Sequence, residues 1–167
     1  DRSTAAGSFR GKNMRLVQFI GPIVPSWVAA LEATGVEIVC YIPNNAYLVY
    51  GDDDSLEGLR GLSRSSSFVQ WEGAYLAEDR IHPDARSVDE KGNPRDIGTD
   101  QFVVQVIKDK DENERTFALI EGLQLAPALN RFETLHYENT VVRLPERAIA
   151  DIAARPDVVS IQPYFTP

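Results

Sequence analysis

The sequence contains one cysteine, Cys40, among 167 residues, so no disulfide can form within this chain. Cys40 lies in an apolar alternating stretch, where we expect a buried, inert thiol. No apolar run approaches the roughly 18 residues that a membrane-spanning helix requires. Cationic side chains are in the minority, 17 Lys and Arg against 25 Asp and Glu, which gives a formal net charge of −8. Such a chain is repelled by nucleic-acid backbones and anionic membranes, so we expect neither as its partner.

Residues that carry catalysis are also scarce. There are two histidines, His82 and His136, and the chain has no G-x-S-x-G, H-E-x-x-H, P-loop or G-x-G-x-x-G motif. His136 falls in a turn-like stretch, where a solvated side chain is expected. The run Asp52-Asp53-Asp54 could suggest calcium, but a helix begins there and its dipole favours carboxylates. We therefore predict a protein that is not an enzyme and that has no cofactor and no metal site.

Three short segments recur in the same order. Their offsets along the chain are nearly constant, at 87, 93 and 90 residues. The pairs are Val17-Gln18-Phe19 with Val104-Gln105-Val106, Leu48-Val49-Tyr50 with Val141-Val142-Arg143, and Phe68-Val69-Gln70-Trp71 with Val158-Val159-Ser160-Ile161. This repetition predicts two copies of one module at residues 15–81 and 101–167. Residues 82–100, rich in Pro, Gly and charge, are typical of a linker, and residues 1–14 of a flexible arm.

The first module shows the pattern strand, helix, strand, strand, helix, strand. The periodicity predicts strands at 16–20, 36–42, 46–50 and 68–71. A helix capped by Ser26 is expected to run through Thr34 and to end at Gly35 in the left-handed conformation. Pro43-Asn44-Asn45 is a turn in which Asn tolerates positive φ. A capping box at 54–57 is expected to begin the second helix.

The second module repeats this order. We expect strands at 102–107, 129–135, 140–144 and 158–161, with one helix near 113–123 and another that has Pro145 as its first helical residue. The β-α-β-β-α-β order is that of the ferredoxin-like split unit. The predicted fold class is therefore α+β, two tandem ferredoxin-like modules, each an antiparallel four-stranded sheet with two helices on one face. The other face of each sheet is left open for solvent or for docking.

Aromatic side chains are concentrated on the strands of the first module. They are Tyr41, Tyr47, Tyr50, Trp71 and Tyr75. A sheet that stacks single-stranded RNA uses such residues, but the acidic charge and the scarcity of nearby Lys and Arg argue against that function. We expect packing in the core or between modules instead.

Two stretches carry a resemblance to a known family. They are LVQFIGPIVPSWVAALEATGVEIVCYIPNNAYLV at 16–49 and DIAARPDVVSIQPYF at 151–165. The matching features include Gly21-Pro22, Trp27, Tyr41-Ile42-Pro43 and Val69-Gln70-Trp71, and in the second module Pro156-Asp157-Val158-Val159. In their order and joint presence these motifs resemble the two-module propeptides of bacterial subtilisin-like serine proteases.

The resemblance implies a secreted folding assistant and inhibitor that docks on the protease domain, in cis or in trans. In that family the open sheet face packs on the protease, and the C-terminal tail lies in the substrate cleft as a product-like strand. Carried over to this chain, the docking positions are outward strand residues and the tail. These are Val158, Ser160, Gln162, Pro163, Tyr164, Phe165, Thr166 and Pro167.

Two other functions remain open on the sequence. The modules could form an extracellular structural subunit that binds copies of itself, for example as filaments, through exposed strand edges and terminal arms. They could also hold a small molecule between them, although no convergent polar residues support this.

Overall fold

The computed structural model describes residues 11–167, and these fall into two compact units that divide between Tyr75 and Leu76. Each unit, over its described residues, has one four-stranded antiparallel sheet and two α-helices. The predicted fold class, α+β with two tandem ferredoxin-like modules, is therefore correct. The expected N-terminal arm lies mostly outside the described residues, because only 11–14 are described and Asn13 already begins a strand.

The six elements of the first unit follow the predicted order. They are β1 (Asn13–Phe19), α1 (Pro25–Ala33), β2 (Glu37–Ile42), β3 (Ala46–Gly51), α2 (Asp53–Ser65) and β4 (Val69–Ala74). The strands lie in the order β2-β3-β1-β4, so the chain returns to pair β4 beside β1.

The second unit repeats this topology. Its elements are β5 (Gln101–Ile107), α3 (Lys110–Leu123), β6 (Asn130–Thr134), β7 (Tyr137–Arg143), α4 (Glu146–Ala153) and β8 (Val158–Pro163). The strand order β6-β7-β5-β8 is the equivalent of that in the first unit. Pro145 is extended and precedes α4 as its N-cap residue, so the helix begins one residue later than predicted. Within the described residues, none of these helices combines the length and apolar character needed to cross a bilayer.

Helix ends in the first unit differ in detail from the prediction. Helix α1 begins with Pro25 and has no side-chain cap, so Ser26 does not cap it. Its end follows the expectation, since Gly35 has a φ of +95°. Helix α2 is capped two residues earlier than predicted, because the side chain of Asp52 accepts a hydrogen bond from the Ser55 amide at 2.9 Å. That hydrogen bond lowers the pKa of the Asp52 carboxyl. The acidic run therefore begins a helix, as expected.

The two β-hairpins have different residue types at the left-handed positions of their turns. Asn44 and Asn45 have φ values of +69° and +61°, which confirms the predicted use of Asn in the first turn. In the second hairpin the left-handed position is occupied by Leu135, with a φ of +54° and a side chain that is 82% exposed. A leucine in this conformation costs about 1 kcal/mol relative to a residue that tolerates it.

The core of the first unit lies between its sheet and its helices. Leu31 of α1 and Leu59 of α2 are fully buried against strand residues such as Val17. Aromatic rings extend this core, with Trp27 and Phe68 stacked at a centroid distance of 5.4 Å and an interplanar angle of 7°. Of the aromatic residues singled out in the sequence, Tyr47 packs against this core and Tyr41 is 54% exposed. Cys40, expected to be buried, is half-buried.

The stretch between the repeats, residues 82–100, differs from the linker that its composition suggested. Ala85 and Ile97 are 2% and 6% exposed and belong to the hydrophobic core of the second unit. The segment is held further by Arg95, which donates to the Pro83 carbonyl and to the Asp84 carboxylate. Ala85 and Ile97 help to pack this polar segment onto the unit, and composition alone does not reveal them. The first residues of the second unit therefore precede β5 by about two dozen positions.

A candidate docking surface on the second unit

The register of β8 decides which predicted docking residues share a face. Gln105 pairs with Ser160, but the next residue, Val106, pairs with Val158, so Val159 is the extra residue of a β-bulge. Val158 is therefore turned toward the helices and is fully buried in the core. This corrects its predicted outward position: simple alternation placed Val158 with Ser160 and Gln162, and the bulge breaks that alternation.

The same bulge occurs in the first unit. Gln18 pairs with Trp71 and Phe19 with Val69, which leaves Gln70 as the extra residue. The bulged pairs make Val69 the counterpart of Val158, an offset of 89 residues. The repeated segments in the sequence give an offset of 90 for this strand.

The candidate docking surface is defined here as the β5-β7-β8 face that points away from the helices. Its central residues alternate with the core residues of the same strands. They are Gln101, Val103, Gln105, Asn139, Val141, Arg143, Ser160 and Gln162. Burial varies across this surface, because Asn139 and Val141 are buried on the inner strand β7 while Arg143 and Gln162 are exposed.

Polar pairs order this surface. Gln105 Nε2 donates to Asn139 Oδ1 at 3.1 Å, and these two residues lie directly opposite each other on β5 and β7. At the end of β7, Arg143 makes a forked contact with Asp100, with Nη2 at 2.8 Å from Oδ2 and Nε at 3.1 Å. The guanidinium lowers the pKa of the Asp100 carboxyl, which stays ionised. The exposed guanidinium is thereby held at one edge of the surface.

The C-terminal tail, residues 163–167, begins with Pro163, which is the last residue of β8 and pairs with Phe102. The Tyr164 amide donates to the Gln101 carbonyl at 2.8 Å, and Thr99 Oγ1 donates to the Tyr164 carbonyl at 3.0 Å. Beyond this point Phe165 is 60% exposed, and Thr166 and Pro167 are exposed as well. The tail is thus tied to the unit through Tyr164 and offers a solvent-facing aromatic side chain one residue later.

A buried polar cluster, which the sequence did not predict, holds the start of β8. The fully buried carboxylate of Asp157 accepts hydrogen bonds from Thr116 Oγ1 at 2.5 Å and from Asn113 Nδ2 at 2.8 Å. Burial raises the pKa of Asp157, and these two hydrogen bonds act in the opposite direction. The signal in the sequence was weak: Asp157 stands between a helix-ending Pro156 and an apolar strand, and its partners are 41 and 44 positions away.

Two arginines complete this anchor. Arg155 donates through Nε to Thr116 Oγ1 at 2.9 Å and forms an ion pair with Glu112 at 2.5 Å. Arg80, fully buried, donates through Nη1 to the carbonyls of Arg155 and Val158. The connection from α4 to β8 is therefore held on one side by α3 and on the other by the turn at Ala77–Arg80. The strand that leads to the tail thus begins at a rigid point.

Neither histidine is among the central residues of this surface, although the His82 amide donates to the Ile161 carbonyl of β8 at 2.9 Å. His82 Nδ1 accepts a hydrogen bond from the Asp84 amide at 3.1 Å and so caps the N-terminus of a short 3₁₀ helix. His136 is in the β6–β7 turn, with its ring 4.3 Å from that of Tyr137. Over residues 11–167, no group of three or more His, Cys, Asp and Glu side chains is arranged to hold a metal ion.

Comparisons with known proteins give few matches. A family model described as "Domain of unknown function (DUF8729)" matches residues 1–76, which is less than half of the chain. No curated protein matches the chain. Among solved structures, the chain is similar to the ligand-free regulatory subunit of aspartate kinase from Thermus thermophilus, with 10% identity and a TM-score of 0.31 over 86% of this chain and 93% of that one. A similarity this low carries no argument about function.

Proposed function

We propose that this protein is a non-catalytic docking protein of the subtilase-propeptide type. It binds a subtilisin-like serine protease domain outside the cell, assists the folding of that domain and inhibits it. The docking surface meets the protease, and the tail extends toward the substrate cleft. The resemblance of residues 16–49 and 151–165 to such propeptides motivates this proposal.

One observation carries the proposal: the docking surface and the tail are continuous through β8. Ser160 lies on this surface and Gln162 is exposed beside it. Only three residues later Phe165 is 60% exposed. A partner that covers β8 therefore also meets an unburied aromatic side chain. Exposed aromatic residues of this kind are common anchors of protein–protein interfaces.

The physical mechanism needs no bond chemistry from this chain. An extended tail binds a cleft by main-chain hydrogen bonds, and the face of a sheet adds buried area. A protein that binds the native protease, and not its unfolded chain, stabilises the native form by about 2.7 kcal/mol at a concentration 100 times its Kd. The same complex blocks the cleft, so folding assistance and inhibition have one cause.

The test is to measure hydrolysis of a chromogenic peptide by subtilisin-like proteases in the presence of the intact chain. We expect slow, concentration-dependent inhibition and, with acid-unfolded protease, a higher yield of refolded enzyme. Phe165→Ala should weaken inhibition by about tenfold. Leu125→Ala is the matched control, since Leu125 is also exposed, at 53%, but lies in the loop before β6. Unchanged inhibition by the Phe165 variant, or no inhibition of any protease in a broad panel, contradicts the proposal.

The same sample tests self-assembly, the other function that the sequence left open. Light scattering that reports monomers at high concentration argues against a filament-forming subunit. Particles that grow with concentration, together with no effect on proteases, favour it.

A further inference from the structure

A groove lies on the helix side of the second unit, between α3 and the β6–β7 hairpin. It has a volume of about 910 Å³. Phe117 of α3 contributes an aromatic ring to it, and the strands contribute Arg131, Glu133 and Glu138. The groove is on the opposite side of the sheet from the docking surface, because Glu138 pairs with Val106, a core residue, and Glu133 with Glu138. The proposed protease docking therefore does not use it.

Some of the charged side chains that line the groove have a partner within the protein, and others do not. Lys108 Nζ is paired with Glu133 Oε2 at 3.0 Å, and the Arg131 guanidinium lies 4.0 Å from the centre of the Phe117 ring. Three other carboxylates have no hydrogen-bond or ion-pair partner within the described part of the chain, and they outnumber the two cations of the lining that lack such a partner there, Lys110 and Arg131. These carboxylates belong to Glu114, Glu121 and Glu138. The charge available to an incoming ligand is thus negative.

The position of Glu138 strengthens this argument. Its side chain is half-buried and lies directly across from Glu133 on the neighbouring strand. Like charges in directly opposed positions destabilise a sheet, and Lys108 compensates Glu133 only. A cation placed near Glu138 removes that cost, so the groove gains more from a cationic occupant than an isolated surface carboxylate does.

Strand β6, which borders the groove, is an unprotected edge. All five of its residues are exposed, and no described strand pairs with its outer side. The edge therefore presents a row of backbone N–H and C=O groups to solvent. Phe132 adds a side chain that is 43% exposed. An extended polypeptide can pair here while every second side chain of it points to the groove.

We infer that the α3–β6 groove and the β6 edge form a binding site for an extended basic segment of another polypeptide. The segment adds as a fifth strand beside β6, and its Lys or Arg side chains at alternate positions reach the unpaired carboxylates. A second copy of this chain suits the site less well, because its net charge of −8 is repelled by an acidic groove. The inference does not depend on the proposed protease docking.

The probe is a capped peptide of alternating lysine and valine, about eight residues long, which spans the five residues of β6. Binding to the full chain is measured by fluorescence anisotropy and by amide chemical shifts. We expect saturable binding with shift changes in β6 and α3, and none with the matched glutamate–valine peptide. Two N-methylated versions test the pairing: methylation of the alternate amides that face β6 abolishes binding, and methylation of the other set leaves it intact.

Paired variants test the charge argument. Glu121→Gln/Glu138→Gln should weaken binding of the lysine peptide by about tenfold. The control is Glu32→Gln/Glu37→Gln, which makes the same charge change at exposed residues of the first unit. Thermal unfolding confirms that both variants are folded. If both double variants lose the same affinity for the lysine peptide, the net charge of the protein alone attracts the peptide, and the proposed site is wrong. Equal binding by the two N-methylated peptides, or shift changes away from β6, would overturn strand addition.

Discussion

The hydroxyl of Thr116 donates a hydrogen bond of 2.5 Å to Oδ1 of Asp157 and so links α3 to the first residue before β8. Because Asn113 donates to the other carboxylate oxygen, both oxygens are bonded to the same helix. The strand that carries Ser160, Gln162 and the tail is therefore positioned by a buried polar contact in addition to its sheet pairing.

Replacement of Asp157 by Asn should lower the free energy of unfolding of the second unit by about 2–3 kcal/mol. The NH₂ group of the new amide must face either Asn113 Nδ2 or Thr116 Oγ1, which both donate a hydrogen bond to Asp157 in the wild type. Two donors then face each other, and buried polar groups are left without a partner. Urea denaturation measures the change. The control Asp151→Asn, at an exposed position of α4, should be nearly neutral. Equal stability of the two variants would show that the cluster adds nothing to the unit.

The titration of Asp157 should contribute to the pH dependence of the free energy of unfolding. Burial raises its pKa in the folded state above the unfolded value of about 3.8, so its contribution to stability is full below that pH. It is lost as the pH rises through the raised folded-state pKa. The stability of the wild type relative to Asp157→Asn should therefore fall over that interval and then level off. If the stability of the wild type relative to Asp157→Asn instead rises with pH, the folded-state pKa of Asp157 is lowered and the prediction is wrong.

For Asp100 we expect the opposite pH dependence of stability. Arg143 lowers its folded-state pKa, so its contribution is present above the unfolded value and is lost as the pH falls through the folded one. The stability difference between the wild type and Asp100→Asn should shrink on acidification. Denaturation curves of Arg143→Gln provide the check, because without the guanidinium the pH dependence from Asp100 should disappear.

Leu135→Asn should stabilise the second unit by about 0.5–1 kcal/mol. Leucine has a φ of +54° here and is 82% exposed, so the substitution relieves backbone strain without loss of packing. Asn44 holds the equivalent conformation in the first hairpin. Differential scanning calorimetry should show a higher Tm for this variant and no gain for Leu125→Asn. A lower Tm would indicate that the Leu135 side chain makes contacts that stabilise the unit.

Gly73→Ala should displace the ring of Trp71. A Cβ atom at residue 73 would lie 2.2 Å from Cζ2 of that ring, so the indole must rotate away. We expect a loss of about 1 kcal/mol in stability and a shift of tryptophan emission. In a Trp71→Ala background the same substitution should cost little. If the two substitutions are simply additive in stability, the ring does not lie over the glycine.

Much of the fold could be predicted because the relevant signals are local. Alternating apolar residues such as Val17 and Phe19 mark a strand, and Gly35 and Asn44 mark left-handed turns that the structure confirms. The duplicated order of elements then leads to the ferredoxin-like topology. The N-cap of α2 was misplaced because Asp52, Asp53 and Asp54 are equivalent in a pattern, and only the hydrogen bond to Ser55 distinguishes them.

Other features depend on residues far apart in the sequence. The bulge at Val159 arises from pairing with β5, about 54 positions earlier, and it moves Val158 from the expected surface to the core. Ala85 and Ile97 look like linker residues until the core they enter is assembled. Periodicity is a property of neighbouring residues and can be seen in the chain itself. Register, buried polar partners and the groove beside β6 exist only once distant segments meet, because each requires a contact that no single segment contains.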